Sequence, residues 1–221
     1  MQGVLDYSPL EAGLRFLPLT VLGFIVAPIS GALSNRIPIR VLLGVGLATV
    51  GVGLLLMHGV SPDSGWTTLL GGFLVAGIGI GITNPGIGQA AIAVVPVEKS
   101  GMGSGINTTF RQVGIATGVA GLGAVFQSNV NSKISELLPR APSGLGEIIA
   151  SGGSRAAGAV TPARIRPEVV HASNVAFVGA FNEIILIAAI LSFVGAALGF
   201  VLVRSRDFVL SAEAVSDAAA S

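Results

Sequence analysis

Arg111 and Gln112 stand in the middle of GMGSGINTTFRQVGIATGVAGLGAVFQ, a run otherwise made of small and apolar residues. A guanidinium stays charged at any cellular pH and offers a planar fork of donors. Such a group inside an oily run can hold a carboxylate, a polar ligand or another helix. Asn107 lies one helical turn before it. A second ionisable group, Glu183, opens the apolar run EIILIAAILSFVGAALGFVLV. Asn84 and Gln89 interrupt a third run, GIGIGITNPGIGQAA. Other chemistries find no support. There are no cysteines, and His58 and His171 lack ligand-spaced neighbours, so no metal or other cofactor is implied. No G-x-G-x-x-G and no Gly-Lys pair of a phosphate loop occurs, and no paired-carboxylate or nucleophile motif marks an enzyme.

The elements that must position these groups are set by composition. Of 221 residues, 52% are hydrophobic and only 10% charged, with a mean hydropathy of +0.84. Soluble globular chains carry about 25% charged residues. The deficit makes the lipid bilayer the first partner. A net charge of +1 gives no reason to expect a nucleic acid. The start, MQGVLDYSPLEAG, lacks the basic end and apolar core of a signal peptide.

Five stretches are long enough to cross a bilayer as helices, which takes about 20 residues each. They are Ala12–Leu33, Ile39–His58, Trp66–Val95, Gly101–Gln127 and Asn174–Val203. None shows the ten-residue alternation of barrel strands, so the expected class is an all-α membrane protein. The first three connections, SNRIP, GVSPDSG and PVEKS, are short and make sequence neighbours antiparallel. Residues 128–173 read as a flexible loop outside the membrane, with a short helix near Ile134–Leu138, and residues 204–221 as a polar tail. Basic residues do not fix the orientation. Arg36, Arg40, Lys99, Arg204 and Arg206 fall on one side, Lys133, Arg140, Arg155, Arg164 and Arg166 on the other. Discounting the long loop favours the first side as cytoplasmic.

Length separates the two intramembrane charges. After Glu183 about 20 apolar residues remain, enough to span unaided. The carboxylate can sit at the outer interface, or act within the membrane. After Arg111 the apolar stretch Val113–Phe126 is only about 14 residues, roughly 21 Å of helix. That is short of the ~30 Å hydrocarbon core, so Arg111 lies inside it. Ser104, Asn107, Arg111, Gly114 and Gly118 share a helical face. A buried charge of this kind faces a partner or a water-filled path, or its stem snorkels back to the headgroups; both readings stand.

Glycine pairs four apart, Gly77/Gly81, Gly114/Gly118 and Gly195/Gly199, predict close helix crossings. Gly77, Gly81, Asn84, Gly88 and Ala91 share one face. Pro18, Pro28 and Pro85 each remove a backbone donor inside a span, which is tolerated where protein or water lines the break.

YSPLEAGLRFLP, GALSNRIPIR, GIGIGITNPGIGQAA and GSGINTTFRQVGIATGVAGLGAVF, in this order, resemble the second half of the fourteen-helix drug:proton antiporters of the major facilitator superfamily. The resemblance covers most of Tyr7 to Val203. The T-x-R-Q-x-G string around Arg111 and the Y-S-P-L-x-A-G-L entry are its more specific parts. GALSNRIPIR is similar to the superfamily's cytoplasmic motif G-x-L-x-D-R-x-G-x-R: Gly31, Arg36 and Arg40 match, whereas Asn35 and Pro38 depart from it. The resemblance implies a cytoplasmic first loop and tail, an external loop over 128–173, and a multi-pass place in the inner (plasma) membrane. It implies that residues 12–203 are a partial C-terminal transporter half matching the last five spans, with residues 1–11 ending a truncated preceding segment. A missing N-terminal half, or a complementary chain, would complete it. Small-molecule efflux against protons is the implied activity of an intact protein. Arg111, Asn107, Asn84, Gln89 and Gln112 would then line the path or pair helices, and Glu183 would be a membrane carboxylate. The alternative is a non-transporting membrane fragment, or an assembly partner of a separately encoded half.

Overall fold

The computed structural model describes residues 7–34, 36–139 and 144–203, with the side chains at 152, 154–156 and 160 excepted. Asn35, the first six residues of the expected truncated segment and the expected tail at 204–221 lie outside the described residues. Among the described residues six α-helices follow one another: α1 Pro9–Leu33, α2 Ile39–Met57, α3 Thr67–Ala93, α4 Ser100–Leu137, α5 Leu145–Val160 and α6 Arg166–Leu202, with a 3₁₀ turn at Val97–Lys99 before α4. All but α5 are long and apolar enough to cross a membrane. This is an all-α multi-pass membrane protein with five candidate spans.

The start of α1 is built by the Y-S-P-L-E segment. Ser8 caps the helix, its hydroxyl accepting from the Glu11 N–H while the Glu11 carboxylate accepts from the Ser8 N–H at 2.9 Å. This reciprocal pair, with Pro9 at the first helical position, satisfies donors that a helix end otherwise leaves free. Arg15, one turn on, places its guanidinium 3.6 Å from the centre of the Tyr7 ring and 5.8 Å from that of Trp66. The motif is therefore a helix-start device.

Backbone proximity at glycines sets the order of the bundle. α2 and α3 run antiparallel in a constant register, Gly46 against Thr83, Val50 against Gly79, Gly53 against Ala76 and Met57 against Gly72. A Cβ added at Gly53 would lie 2.5 Å from the Ala76 nitrogen, so the approach excludes any side chain there. On its other side α3 meets α1, where a Cβ at Gly77 would lie 2.5 Å from the Leu19 carbonyl oxygen and one at Gly81 2.7 Å from that of Gly23. α2 meets α6 through Gly44 against Phe200 and Gly51 against Phe193. Interhelical hydrogen bonds support both sides: the Ser30 hydroxyl donates to the Ile82 carbonyl at 2.9 Å, and that of Ser192 to the Leu47 carbonyl at 2.8 Å. Such bonds and close van der Waals contact are what hold helices together in lipid, where burying apolar groups gains little. Ile82 lies in the turn before Pro85, where the helix ladder is already interrupted.

The stretch expected as a flexible loop at 128–173 is instead mostly helical. α4 continues ten residues past Gln127, with no separate helix near Ile134–Leu138, and α6 starts eight residues before Asn174. Between them α5 bends at Gly153, whose φ of 67° suits glycine. The reason is tertiary: Val130 and Ile134 of α4, Ile149 and Ala157 of α5, and Ala172 and Ala176 of α6 form one buried cluster. Packing overrides the loop-like composition.

Candidate functional site

α4 is held at its two ends and bare between them. At the start, Gly103 is pressed against α3, where an added Cβ would meet the Ala91 carbonyl oxygen at 2.6 Å. At the end, Val130 and Ile134 are buried, and Phe126 meets Phe177 of α6 edge to face at 4.9 Å. Between these anchors Phe110 and Val119 are 73% and 71% exposed, and no atom lies within 4 Å of a Cβ placed at Gly105, Gly114, Gly118, Gly121 or Gly123. The predicted crossing at Gly114 and Gly118 is thus not made among the described residues. Gly77/Gly81 does make its crossing, on α1, and Gly195/Gly199 lies in ordinary contact with Leu43, Gly44 and Leu47 of α2.

Arg111 sits in the middle of this bare section. Its side chain is exposed and, among the described residues, makes no hydrogen bond or ion pair. Asn107, half-buried, is one turn away on the same face, and Gln112 is exposed on the next face round. The hydroxyls of Thr108 and Thr109 donate back to the Ser104 and Gly105 carbonyls, both at 3.0 Å, so they are not free donors. On α3, Asn84 is exposed and Gln89 half-buried. The structure places these five residues on two neighbouring helices but joins none of them by hydrogen bonds.

Glu183 behaves differently. It faces α4, where its carboxylate lies 3.3 Å from the Lys133 ammonium and accepts a short hydrogen bond from the Asn129 amide. Lys133 reaches it over Gly179, one turn earlier on α6, where a Cβ would collide with the ammonium. A loop reading of residues 128–173 hides Lys133 and Asn129 as partners for Glu183. Their spacing of four, which places both on one face of a continued helix, was the available signal. Beside Glu183, Asn182 accepts from the Gly59 and Val60 N–H groups at 3.1 and 3.2 Å and donates to the Val60 carbonyl at 2.8 Å. It ties α6 to the α2–α3 turn, where Gly59 has a φ of 84°.

At the opposite end of the bundle, Arg36 and Arg40 are exposed and Gly31 has open space beside it. Neither arginine has an ion-pair partner among the described residues. Arg40 occupies the first turn of α2, where the helix dipole disfavours a cation.

Glycine-packed long apolar helices, proline inside two of them, and one span held only at its ends make a polytopic membrane bundle. The family model of the Major Facilitator Superfamily matches residues 1–119, and the chain belongs to that superfamily. Among relatives, it is 29% identical over 199 residues to the multidrug efflux pump LfrA of Mycolicibacterium smegmatis, covering 90% of this chain and 40% of that protein. It is 30% identical over 192 residues to the tetracenomycin C resistance and export protein of Streptomyces glaucescens, covering 81% of this chain and 35% of the relative. It is 33% identical over 141 residues to the multidrug resistance protein Stp of Mycobacterium tuberculosis, covering 64% of this chain and 26% of the relative. The chain thus spans about 40% of the length of these relatives or less.

Proposed function

We propose that this chain supplies the C-terminal part of a proton-coupled multidrug efflux transporter in the inner (plasma) membrane, and that its work is transport, not catalysis. The observation that carries the reading is the middle of α4. A helix anchored at both ends leaves Arg111 exposed and, among the described residues, nothing within 4 Å of a Cβ placed at Gly114 or Gly118, with half-buried Asn107 on the same face. A charge at bilayer depth costs about 2.5–3.5 kcal/mol and is found facing a cavity or a partner. In this reading the stripe forms one wall of a path between two transporter halves, where substrate sites of such carriers lie. Arg111 then holds a polar group of the substrate or of the facing half, with Asn107, Gln112, Asn84 and Gln89 along the same wall. Arg36 and Arg40 lie at the cytoplasmic gate, and α5 lies outside. The similarity to an efflux pump and to an export protein supports small molecules as the cargo. In the assembled transporter, Arg111→Ala should abolish drug efflux at an unchanged level in the membrane. Unchanged efflux would refute the role of Arg111.

The coverage of the relatives favours a second reading, in which the chain alone does not transport and works only with a complementary half. The purified chain in liposomes should then move no cationic dye under a pH gradient, and addition of such a half should restore movement.

A further inference from the structure

A partly open cavity of about 290 Å³ lies at the end of the bundle that carries the α2–α3 turn, between α1, α2, α3 and α6. It is separate from the α4 stripe, and none of its lining residues belongs to α4. Four rings line it, Phe16 from α1, Phe73 from α3, and Phe177 and Phe181 from α6, together with Met57 of α2 and aliphatic side chains such as Leu54, Leu69 and Ile185. Phe16 and Phe73 lean on each other with ring centres 5.1 Å apart. Phe177 is fixed from behind by Phe126. The roof is the α2–α3 turn, which Asn182 holds through three hydrogen bonds. Phe16, 44% exposed, forms part of the rim.

We propose that this cavity is a binding site for a neutral, two-ring aromatic molecule, distinct from any path along α4. Size sets the first limit. An apolar cavity of about 150 Å³ takes up benzene, and this one is about twice that. Charge sets the second. No charged side chain lines the cavity, so an ionised ligand would lose its hydration with nothing in return. Shape sets the third: four rings and a thioether offer faces and edges for stacking and sulfur–aromatic contact, and they favour a flat ligand over a flexible acyl chain. At the roof the Ser61 and Ser64 hydroxyls bond each other at 2.9 Å, which uses one of their two O–H donors and leaves the other for such a molecule.

The chain carries its own reporter. Trp66 is its single tryptophan and adjoins Gly65 of the lining. The full chain in lipid nanodiscs is titrated with 1-naphthylamine, a neutral two-ring fluorophore, and energy transfer from Trp66 is recorded. The expected result is a saturable component at one probe per chain, displaced by naphthalene but not by dodecane. Val178→Phe, which fills the cavity, should remove that component, and Phe181→Ala should weaken it at least fivefold. Val119→Phe, on the bare face of α4, should leave it unchanged. Transfer that only rises linearly with probe means partition into lipid and overturns the proposal. So does displacement by dodecane as strong as by naphthalene, which would mean an acyl-chain groove. If Val178→Phe lowers the helix content, Phe181→Ala alone decides, and unaltered binding there refutes the site.

Discussion

The Lys133 ammonium reaches the Glu183 carboxylate, 3.3 Å away on the next helix, by lying across Gly179. Both partners are partly exposed, at 34% and 47% of the side chain, so the pair's direct contribution to stability is at most about 1 kcal/mol. Its consequence is positional: with Asn129 it clips the far end of α4 to α6, while the middle of α4 stays bare.

Gly179→Ala should therefore separate the pair without unfolding the bundle, because the displaced atom is the end of a flexible side chain. A double-mutant cycle on Lys133→Ala and Glu183→Ala should give a coupling of up to about 1 kcal/mol in the parent. In the Gly179→Ala background the coupling should vanish. An undiminished coupling there would show that Lys133 takes another route.

Asn182 satisfies two N–H groups and one carbonyl of the α2–α3 turn. Replacement by alanine should cost about 1–3 kcal/mol, the penalty for unsatisfied polar groups. Asn182→Asp, which keeps the acceptor and loses the donor, should fall between. Thermal unfolding of the purified protein measures both. Equal stability of all three would mean that the turn is held by something else.

Two glycines of similar setting should respond in opposite ways. Gly77→Ala places a Cβ 2.5 Å from the Leu19 carbonyl oxygen and should destabilise the α1–α3 crossing by about 1–3 kcal/mol. Gly118→Ala meets nothing within 4 Å and should be neutral or stabilising by up to about 1 kcal/mol through helix propensity. If Gly118→Ala leaves stability intact but impairs transport, the α4 face is needed for a partner or a substrate.

Much of this arrangement was legible in the sequence, because length and hydropathy decide spans in a bilayer. The five spans and their short connections follow from that arithmetic. The crossing at Gly77 and Gly81 does too, since small residues four apart permit close approach. The same spacing at Gly114 and Gly118 looks identical and leads to no contact among the described residues, because spacing says that a helix can approach another, not that one is there. The helical ends of α4 and α6 were hidden because Ser128, Asn129 and Asn131 are loop-like in type and are held helical by Ile149 and Ala157 of α5. The aromatic cavity was hidden for a different reason. Its rings come from three helices far apart in the chain, and no local pattern announces them.

The most direct test of the central claim is drug efflux by the assembled transporter carrying Arg111→Ala or Arg111→Lys, at matched membrane levels. A path-lining guanidinium predicts loss of efflux with alanine and a partial loss with lysine, which keeps the charge but not the bidentate fork, with thermal stability unchanged in both. Efflux at parental rates in the alanine variant would contradict the account. So would a loss that tracks a fall in stability, since Arg111 would then serve only to pair helices.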